Sequence, residues 1–427
     1  MGGKGPSWTT GTDRAWTWTG SDEYSSLGDR VDAPPLPLPH ITGPTRVVIV
    51  RHGQSSWNAA GRVQGSTNLA VLNEKGQRQA QDTAAMLSSE SFDRVYASTL
   101  ARAAETCDIV MAAGQAGVPR LDTPLLREID LYSFQGLLKP DVKALYPEQR
   151  LKWHRDPAAF EIDGHWPVRE MWHRGSLAWR TVLSDCDSAR PAPGAPTNLL
   201  IVAHNNMNQS LLATALGLPV AYFRRIVQDN AAVSSVLLSP LPGHAGAPPV
   251  AVLECLNVSA DSAGKLSPDA DVAARVVLIV KSESSAAHDA AARLLSCCEV
   301  HSVLCGPFAP AQRTARLVAQ AQVEAGRVEP DVTTLMDAGA AMAAAEVWAS
   351  LVARAPESGG GAAVVIADAC AVAALLCAAM GVPPGFAASL KVDPGSMSLL
   401  EFHGRPFNTP PYLRCTNATS HLEAAQG

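Results

Sequence analysis

The chain has 427 residues, of which 47% are hydrophobic and 17% charged, and its formal net charge is −6. This length predicts two domains, since a single hydrophobic core rarely serves more than about 250 to 300 residues. The acidic balance argues against a nucleic-acid partner, which favours a basic surface, and the longest apolar runs are too short to cross a membrane.

Residues 1–45 are rich in Gly, Pro, Ser and Trp and end in the segment APPLPLPHITGP. This composition favours a disordered or loosely docked N-terminal extension. The extension carries several acidic residues, whereas transit peptides are poor in them. These residues are Asp13, Asp22, Glu23, Asp29 and Asp32. The extension by itself therefore does not predict import into an organelle.

Residues 46–258 are predicted to form an α/β domain, because strand-like and helical segments alternate along them. Three apolar segments are typical of buried strands: Val47–Val50, Arg94–Ala97 and Asn198–Ala203. Helices are predicted after them, one with Asn73 as its N-cap, one reaching Val110, and one that begins at Asn205 and is closed by Gly217. This alternation predicts a mostly parallel sheet.

Charged side chains and histidines occur where the apolar segments of this domain end. Arg51 and His52 follow the first strand, and Arg102 lies one turn after the second. Glu128 ends a further apolar patch, and His204 ends the third strand at the start of a helix. Because ligands bind at the carboxyl ends of parallel strands, we expect these five side chains to share one crevice.

A phosphate monoester is the ligand that fits this set of residues. It carries close to two negative charges near neutral pH, and arginine side chains bind its oxygens in bidentate fashion. A histidine can serve as nucleophile when a partner holds one of its ring nitrogens, a helix N-terminus adds donors, and a carboxylic acid can protonate the leaving oxygen. This chemistry requires no metal or cofactor, the nine cysteines show no metal-ligand spacing, and no Walker glycine loop is present.

The run RHGQSSWN at residues 51–58 resembles the signature of the histidine phosphatase superfamily, in its phosphoglycerate mutase-like branch. Five later motifs agree in order: GRVQG at 61–65, LNEKG at 72–76, STLARA at 98–103, LRE at 126–128 and VAH at 202–204. The resemblance covers about residues 46–258. It implies a three-layer α/β/α sandwich, a small phosphorylated substrate and phosphatase or mutase activity without a metal or cofactor.

The resemblance also implies roles for three catalytic residues. His52 is expected to be the nucleophile that becomes phosphohistidine. Glu128 is expected to donate a proton to the leaving oxygen and then to act as the base for water. His204 is expected to bind the phosphoryl oxygens beside the nucleophile.

Four further residues are expected to surround the phosphate. Arg51 and Arg102 correspond to the arginines that bind phosphoryl oxygens in the family, and Asn58 and Gln64 are expected to line the same side. One departure is Asn205, where many members have glycine. Because asparagine tolerates unusual backbone angles, we expect this residue to change specificity rather than to abolish activity.

The segment 130–180 separates a phosphatase from a mutase, because it covers the site and controls the access of water. It lacks the Arg-His-Tyr-Gly sequence associated with the glycolytic mutase. Its runs REIDLYSFQG and IDGHWPVREMW are similar to those of the plant and algal phosphatases that remove phosphate from 2-carboxy-D-arabinitol 1-phosphate, an inhibitor of Rubisco. The resemblance implies that substrate and the chloroplast stroma. A broad sugar-phosphate phosphatase or a phosphoglycerate mutase, and a cytoplasmic location, are the alternatives.

The same segment is rich in cations that could bind the carboxylate or hydroxyl groups of such a substrate. His165 and Arg169 are the two that we expect to do so. The other cations of the segment are expected to be solvated on helices. The oligomeric state is left open by the sequence.

The second half of the chain is predicted to repeat the first. Val276–Val280 is equivalent to the first strand of the first half. By the same comparison, Lys281 corresponds to Arg51, Ser282 to His52, Pro310 to Arg102 and Asp368 to His204. A proline cannot bind phosphate oxygens and an aspartate repels them. Residues 275–420 are therefore expected to form a second phosphoglycerate mutase-like domain that is degenerate, with residues 259–274 as linker and 421–427 as tail. Its role is expected to be structural or that of a regulatory binding module.

Overall fold

A computed structural model describes residues 7–10, 16–19, 33–115, 117–184, 186, 195–244, 246–260, 263–266, 272–334, 340–354, 361–403 and 411–423. The chain divides into two compact units. Unit 1 comprises Met1–Arg224 and Gln228–Ala251, and unit 2 comprises Arg225–Val227 and Val252–Gly427. Within the described ranges, no helix is both long and apolar enough to cross a membrane.

Unit 1 contains a five-stranded sheet with the order β7-β3-β6-β4-β5. The strands are β3 (Thr45–Arg51), β4 (Arg94–Ser98), β5 (Arg120–Thr123), β6 (Thr197–Ala203) and β7 (Val233–Ser239). All neighbours are parallel except β3 and β7, which are antiparallel. The predicted α/β fold with a mostly parallel sheet is confirmed.

Unit 1 has seven α-helices in its described residues. They are α1 (Ser56–Ala59), α2 (Glu74–Met86), α3 (Ala101–Ala112), α4 (Lys139–Leu145), α5 (Pro147–Arg155), α6 (Pro167–Ser184) and α7 (Asn205–Ala215). The three predicted ones are α2, α3 and α7. Asn73 caps α2 by accepting a hydrogen bond from Gly76 N–H, and Gly217 ends α7 in the left-handed region, with φ 69°. Helix α2 packs against α3, and α6 against α7, so the sheet forms the middle layer of an α/β/α sandwich.

The N-terminal extension contributes two short strands, β1 (Ser7–Thr10) and β2 (Trp16–Thr19), which pair in antiparallel fashion. Its last part is attached to unit 1. Leu36 N–H donates to the hydroxyl of Ser176 at 2.9 Å, and Ile41 is fully buried. Residues 1–6, 11–15 and 20–32 lie outside the described residues.

The register of β3 and β6 places the ends of these strands at one level. Arg51 is the partner of Ala203 in the parallel ladder, and His52 N–H donates to the carbonyl of Ala203 at 3.0 Å. The apolar residues Val47–Val50 are almost completely buried, which fixes the strand in the core. His52 and His204 therefore leave the sheet side by side.

Unit 2 has a mixed arrangement, with the order β11-β10-β12-β9-β13-β14-β8, in which the first three pairs are parallel and the last three antiparallel. The strands are β8 (Val250–Val258), β9 (Ala274–Val280), β10 (Val300–Cys305), β11 (Asp331–Thr334), β12 (Ala362–Ala367), β13 (Met397–Phe402) and β14 (Tyr412–Ala418). The helices are α8 (Ser285–Leu295), α9 (Ala309–Glu324), α10 (Ala340–Arg354), α11 (Ala369–Met380) and α12 (Ser420–Glu423). The first five strands of this order match β5-β4-β6-β3-β7 of unit 1 one for one, with the same parallel and antiparallel neighbours.

The hydrogen-bond register within each unit corrects the expected equivalence between residues of the two halves. Val280 is the partner of Ala367 in the β9–β12 ladder, as Arg51 is the partner of Ala203, and Lys281 N–H donates to Ala367 O at 2.7 Å. Lys281, rather than Ser282, therefore stands where His52 stands in unit 1, and Val280 stands in place of Arg51. The expected equivalence at Ser282 was wrong by one residue.

Candidate active site

His52 is held in the tautomer that a nucleophile requires. Its ring is buried, with 2% exposure, and its Nδ1 lies 2.6 Å from the carbonyl oxygen of Gly53. Because a carbonyl can only accept, Nδ1 carries the proton and donates it. The lone pair is then on Nε2, which is the atom left to attack an electrophile.

The backbone after His52 depends on the close approach of two glycines. A Cβ on Gly53 would lie 2.2 Å from the carbonyl oxygen of Gly76, and a Cβ on Gly76 would lie 2.1 Å from the carbonyl oxygen of Gln54. Both distances are far below van der Waals contact, so neither position accepts a side chain without movement of the backbone. The N-terminus of α2 thus packs directly on the loop that carries the nucleophile.

His204 lies beside His52 as the residue that begins α7. The two ring centroids are 5.1 Å apart, and His204 Nε2 lies 2.7 Å from the hydroxyl of Ser98. Ser98 Oγ also accepts from Leu100 N–H at 3.3 Å, and its hydroxyl proton can be donated to Nε2. In that tautomer Nδ1 carries the N–H, and it has no hydrogen-bond partner among the described residues. His204 can therefore donate from Nδ1 to a phosphoryl oxygen.

Arg102 and Arg51 bring two positive charges to the histidines. Arg102 is fully buried, and its two terminal nitrogens donate to the carbonyls of Thr67 at 2.8 Å and Gly65 at 2.9 Å. Arg51 donates to the carbonyl of Gln228 at 2.5 Å. Burial lowers the pKa of Arg102 to about 10, which leaves it charged at neutral pH.

The carboxylate of Glu128 faces the N-terminus of α7. It accepts from Asn206 N–H on both oxygens at 3.2 Å, from Met207 N–H at 3.3 Å and from its neighbour Ile129 at 2.9 Å. Helix N-termini are favourable sites for anions. Glu128 and His204 are thus connected through the N-terminus of α7, and the ring of His52 lies beside that of His204.

Arg174 of α6 holds the segment that carries Glu128. Its guanidinium donates to the carbonyls of Arg127 at 2.6 Å, Glu128 at 3.0 Å and Leu125 at 3.3 Å. This arginine is buried, although the sequence pattern indicated a solvated cation. Arg174 therefore holds the backbone that positions the carboxylate of Glu128.

Replacing Arg174 by methionine is expected to lower kcat by about 10- to 100-fold with a smaller effect on KM, because a displacement of about 1 Å at a catalytic group can cost that much. Lysine at the same position should restore activity only in part, since it lacks the planar fork. Steady-state kinetics on a phosphomonoester test this, with the exposed Arg180 of the same helix, changed to methionine, as control. A normal kcat together with a lowered unfolding midpoint would show that Arg174 only stabilises the fold.

Burial lowers the pKa of His52 well below its ordinary value, and the charges of Arg102 and Arg51 lower it further. The pKa of His204 is lowered by burial, by Arg102 and by His52. Both rings are therefore neutral at neutral pH. A neutral His52 keeps its Nε2 lone pair even in mildly acidic solution.

These lowered pKa values predict a loss of stability in acid. Below about pH 6.5 the unfolded chain binds protons at both histidines while the folded chain does not, so the free energy of unfolding falls with pH by up to about 1.4 kcal/mol per pH unit for each histidine. Denaturant unfolding between pH 7 and 5 should show that the free energy of unfolding falls less steeply for His52→Asn than for the wild type. The exposed His244, changed to asparagine, is the control, and parallel curves for His52→Asn and wild type would refute the prediction.

Asn58 and Gln64 take part in the local structure around the nucleophile. Asn58 Oδ1 accepts from Ser55 N–H at 3.2 Å, and Ser55 caps α1 in return. Gln64 Oε1 accepts from the Ser55 hydroxyl at 2.8 Å. Both side chains thus belong to the loop that follows His52, and their contact with phosphate stays a prediction.

His165 and Arg169 lie on aromatic rings in the segment that follows Glu128. The ring of His165 stacks on Tyr132 with centroids 4.2 Å apart, and its Nδ1 lies 3.2 Å from Glu170. The guanidinium of Arg169 lies 5.3 Å from the centroid of Trp166. Their role in binding the carboxylate or hydroxyls stays a prediction.

Three residues of the site were not predicted from the sequence: Ser98, Arg174 and Asn230. Ser98 ends β4, so the strand-end rule could have included it. Asn230 donates to the carbonyl of His52 at 3.1 Å and to Asn58 Oδ1 at 3.3 Å. No local pattern marks Asn230, which follows β6 and α7 in the chain and reaches the site only through the fold.

Asn205 does not use the unusual backbone angles that asparagine tolerates, and its expected effect on specificity stays a prediction. Its backbone is helical rather than left-handed. Its side chain accepts from Gln209 Nε2 at 3.0 Å and donates to Asn206 Oδ1 at 3.2 Å.

Among the described residues, no group of three or more His, Cys, Asp or Glu side chains could hold a metal ion.

Comparison with known proteins finds one matching family model and several similar proteins. The family model "Histidine phosphatase superfamily (branch 1)" matches residues 47–240. A 2-carboxy-D-arabinitol-1-phosphatase of Triticum aestivum is 32% identical over 90% of this chain and 88% of its own length. A probable 2-carboxy-D-arabinitol-1-phosphatase of Arabidopsis thaliana is 31% identical over 88% of each. A solved mycobacterial glucosyl-3-phosphoglycerate phosphatase is 26% identical over 51% of this chain and 100% of its own, with a TM-score of 0.43.

The two plant relatives align well beyond the family match, which ends before the main part of unit 2 begins at Val252. Their alignment therefore includes both halves of the chain. The predicted resemblance, the fold class and the enzyme class are confirmed. The chain belongs to the histidine phosphatase superfamily, as a phosphatase that uses a histidine nucleophile.

Proposed function

We propose that the chain hydrolyses the phosphate ester of a carboxylated sugar through a phosphohistidine formed on Nε2 of His52. The observation that carries this proposal is the 2.6 Å hydrogen bond from His52 Nδ1 to Gly53 O, which directs the Nε2 lone pair away from the backbone. The buried Arg102 and the unpartnered Nδ1 of His204 provide charge and a donor for a phosphoryl group next to it.

In the first step, Nε2 attacks phosphorus while the bond from phosphorus to the sugar oxygen breaks. Arg51, Arg102 and His204 stabilise the charge on the phosphoryl oxygens. Glu128, in its protonated form, gives its proton to the leaving sugar oxygen.

In the second step, the Glu128 carboxylate takes a proton from water, and the water oxygen attacks phosphorus. The bond from phosphorus to Nε2 breaks, so inorganic phosphate leaves and His52 returns to its neutral form. The backbone donors of Asn206 and Met207 hold the side chain of Glu128 in place. The same residue thus acts first as acid and then as base.

The substrate is proposed to be 2-carboxy-D-arabinitol 1-phosphate or a close relative. Support comes from the names of the two plant relatives and from the runs at residues 127–136 and 162–172. His165 and Arg169 are proposed to contact the sugar hydroxyls. A plastid location is proposed on the same basis.

The test is a phosphate-release assay with 2-carboxyarabinitol 1-phosphate, ribose 5-phosphate and 3-phosphoglycerate. We expect the highest kcat/KM for the first compound. Phosphorus NMR of the 3-phosphoglycerate reaction distinguishes free phosphate from an isomerised product. Equal kcat/KM values would favour a broad sugar-phosphate phosphatase, and formation of 2-phosphoglycerate would favour a mutase.

Unit 2 is proposed to lack this activity. Lys281 occupies the position of His52, and its ammonium lies 3.9 Å from the centroid of the Phe308 ring. Asp368, in the position of His204, caps α11 by accepting from Ala371 N–H at 2.9 Å. A helix terminus that is already satisfied by its own carboxylate is a poor site for phosphate, which supports a structural or regulatory role.

A further inference from the structure

Arg224 has a backbone conformation that arginine seldom adopts. Its φ is 65°, in the left-handed region, and its N–H donates to Gln209 Oε1 at 2.6 Å. Gln209 is buried within α7. Such a conformation persists only where the surroundings impose it, and it is frequent at functional sites.

A chain of hydrogen bonds connects this arginine to the phosphate site. Gln209 Nε2 donates to Asn205 Oδ1 at 3.0 Å, and Asn205 directly follows His204. The two residues after Asn205 hold the carboxylate of Glu128 through their backbone. The side chains of Asn205 and Gln209 thus fix the backbone of Arg224 relative to the first turn of α7.

The residues after Arg224 border the nucleophile. Gln228 O accepts from Arg51, and Asn230 Nδ2 donates to His52 O. The guanidinium of Arg224 lies 5.5 Å from the centroid of the Trp153 ring. Partial burial and the charges of Arg51 and Arg224 lower the pKa of Lys139, so cationic groups of three segments act on one another on this side of the unit.

We propose that Arg224 is a specificity-determining residue that binds a second anionic group of the substrate, a carboxylate, while Arg51 and Arg102 bind the phosphate. Asn205 and Gln209 are positioning residues that hold Arg224 in its left-handed conformation. Glycine at 205 would remove the acceptor for Gln209. This inference rests on the proposed function, whose substrate carries both groups.

The experiment measures competitive inhibition by non-hydrolysable phosphonates. Phosphonoacetate and 3-phosphonopropionate are compared with ethylphosphonate and propylphosphonate, which have the same number of carbons and no carboxylate. For the wild type we expect the carboxylated inhibitors to bind about 10- to 100-fold more tightly. The reason is that the carboxylate gains a charge-assisted hydrogen bond to Arg224. Arg224→Gly should bring this ratio close to one, and glycine also accepts the left-handed backbone, so the variant is expected to fold.

Matched variants separate binding from positioning. Asn205→Gly and Gln209→Leu should lower the ratio about three- to tenfold, a change that general destabilisation does not produce because it affects both inhibitors alike. Gln209→Glu, which keeps the acceptor for Arg224 N–H, should retain more of the ratio than Gln209→Leu. As a control, the exposed Arg180 changed to alanine should keep the wild-type ratio.

A wild-type ratio near one, or a ratio in Arg224→Gly equal to that of the wild type, would overturn the inference. The measurement does not depend on turnover of any sugar phosphate, since a simple aryl phosphate serves as the reporter substrate. Failure of the proposed function would appear instead as a lack of preference for 2-carboxyarabinitol 1-phosphate over ribose 5-phosphate in the wild type. The two failures are therefore distinguishable.

Discussion

Replacing His52 by alanine is expected to reduce kcat/KM for phosphate release by roughly 10⁴- to 10⁶-fold, as the loss of a covalent nucleophile does in other enzymes. The remaining groups would still bind the phosphate, but no second nucleophile lies at the end of β3. Lys281, at the equivalent place in unit 2, lies against Phe308. The whole activity of the chain is therefore expected to depend on one imidazole.

The measurement pairs turnover with detection of the phosphoenzyme. Rapid quenching of the wild type should trap a phosphate that is stable in base and released in acid, as a phosphorus–nitrogen bond requires, and His52→Ala should trap none. The exposed His244, changed to alanine, controls for the loss of any histidine. Activity of His52→Ala within tenfold of the wild type would exclude the proposed mechanism.

Replacing Glu128 by glutamine is expected to lower kcat on a sugar phosphate by roughly 10²- to 10⁴-fold, the usual contribution of a general acid or base. The change is nearly isosteric, but it removes the transferable proton. It also turns an NH₂ group toward the backbone N–H groups of Asn206 and Met207, where two oxygens now accept. Part of the loss is therefore expected to come from displacement of the side chain.

The leaving group separates the two roles of Glu128. An aryl phosphate has a good leaving group that needs no proton, so its transfer to His52 should be affected much less than that of a sugar phosphate. Hydrolysis of the phosphohistidine still requires a base for water, so Glu128→Gln should accumulate the phosphoenzyme with the aryl substrate. The exposed Glu161, changed to glutamine, is the control. Equal losses on both substrates without accumulation would contradict the assignment.

The sequence was sufficient to predict the centre of the site because its residues are tied to strand ends. Arg51, His52 and His204 follow apolar strands directly, and parallel strands bring their carboxyl ends to one edge. Ser98 and Arg174 were missed because their roles depend on partners far away in the chain. Arg174 in particular is a cation on an amphipathic helix, and only the fold shows that it turns inward to three carbonyls.

The order of the strands in unit 2 was predictable from the repeat, whereas the residue-by-residue equivalence at its first strand was not. In a run such as Val276–Val280 every residue is apolar, so shifting the comparison by one changes little in the sequence. The register is instead set by hydrogen bonds to the neighbouring strands. Both the Val280–Ala367 pair and the bond from Val280 N–H to Ser396 O select the same alignment.

The contact between Gly53 and Gly76 makes two positions in different motifs mutually dependent. Gly76 lies on α2, and its backbone packs on the loop that carries His52. A survey of all substitutions should therefore find position 76 as intolerant as position 53, with activity lost even where the protein remains folded. Descendants of this sequence that keep the reaction must therefore keep both glycines together.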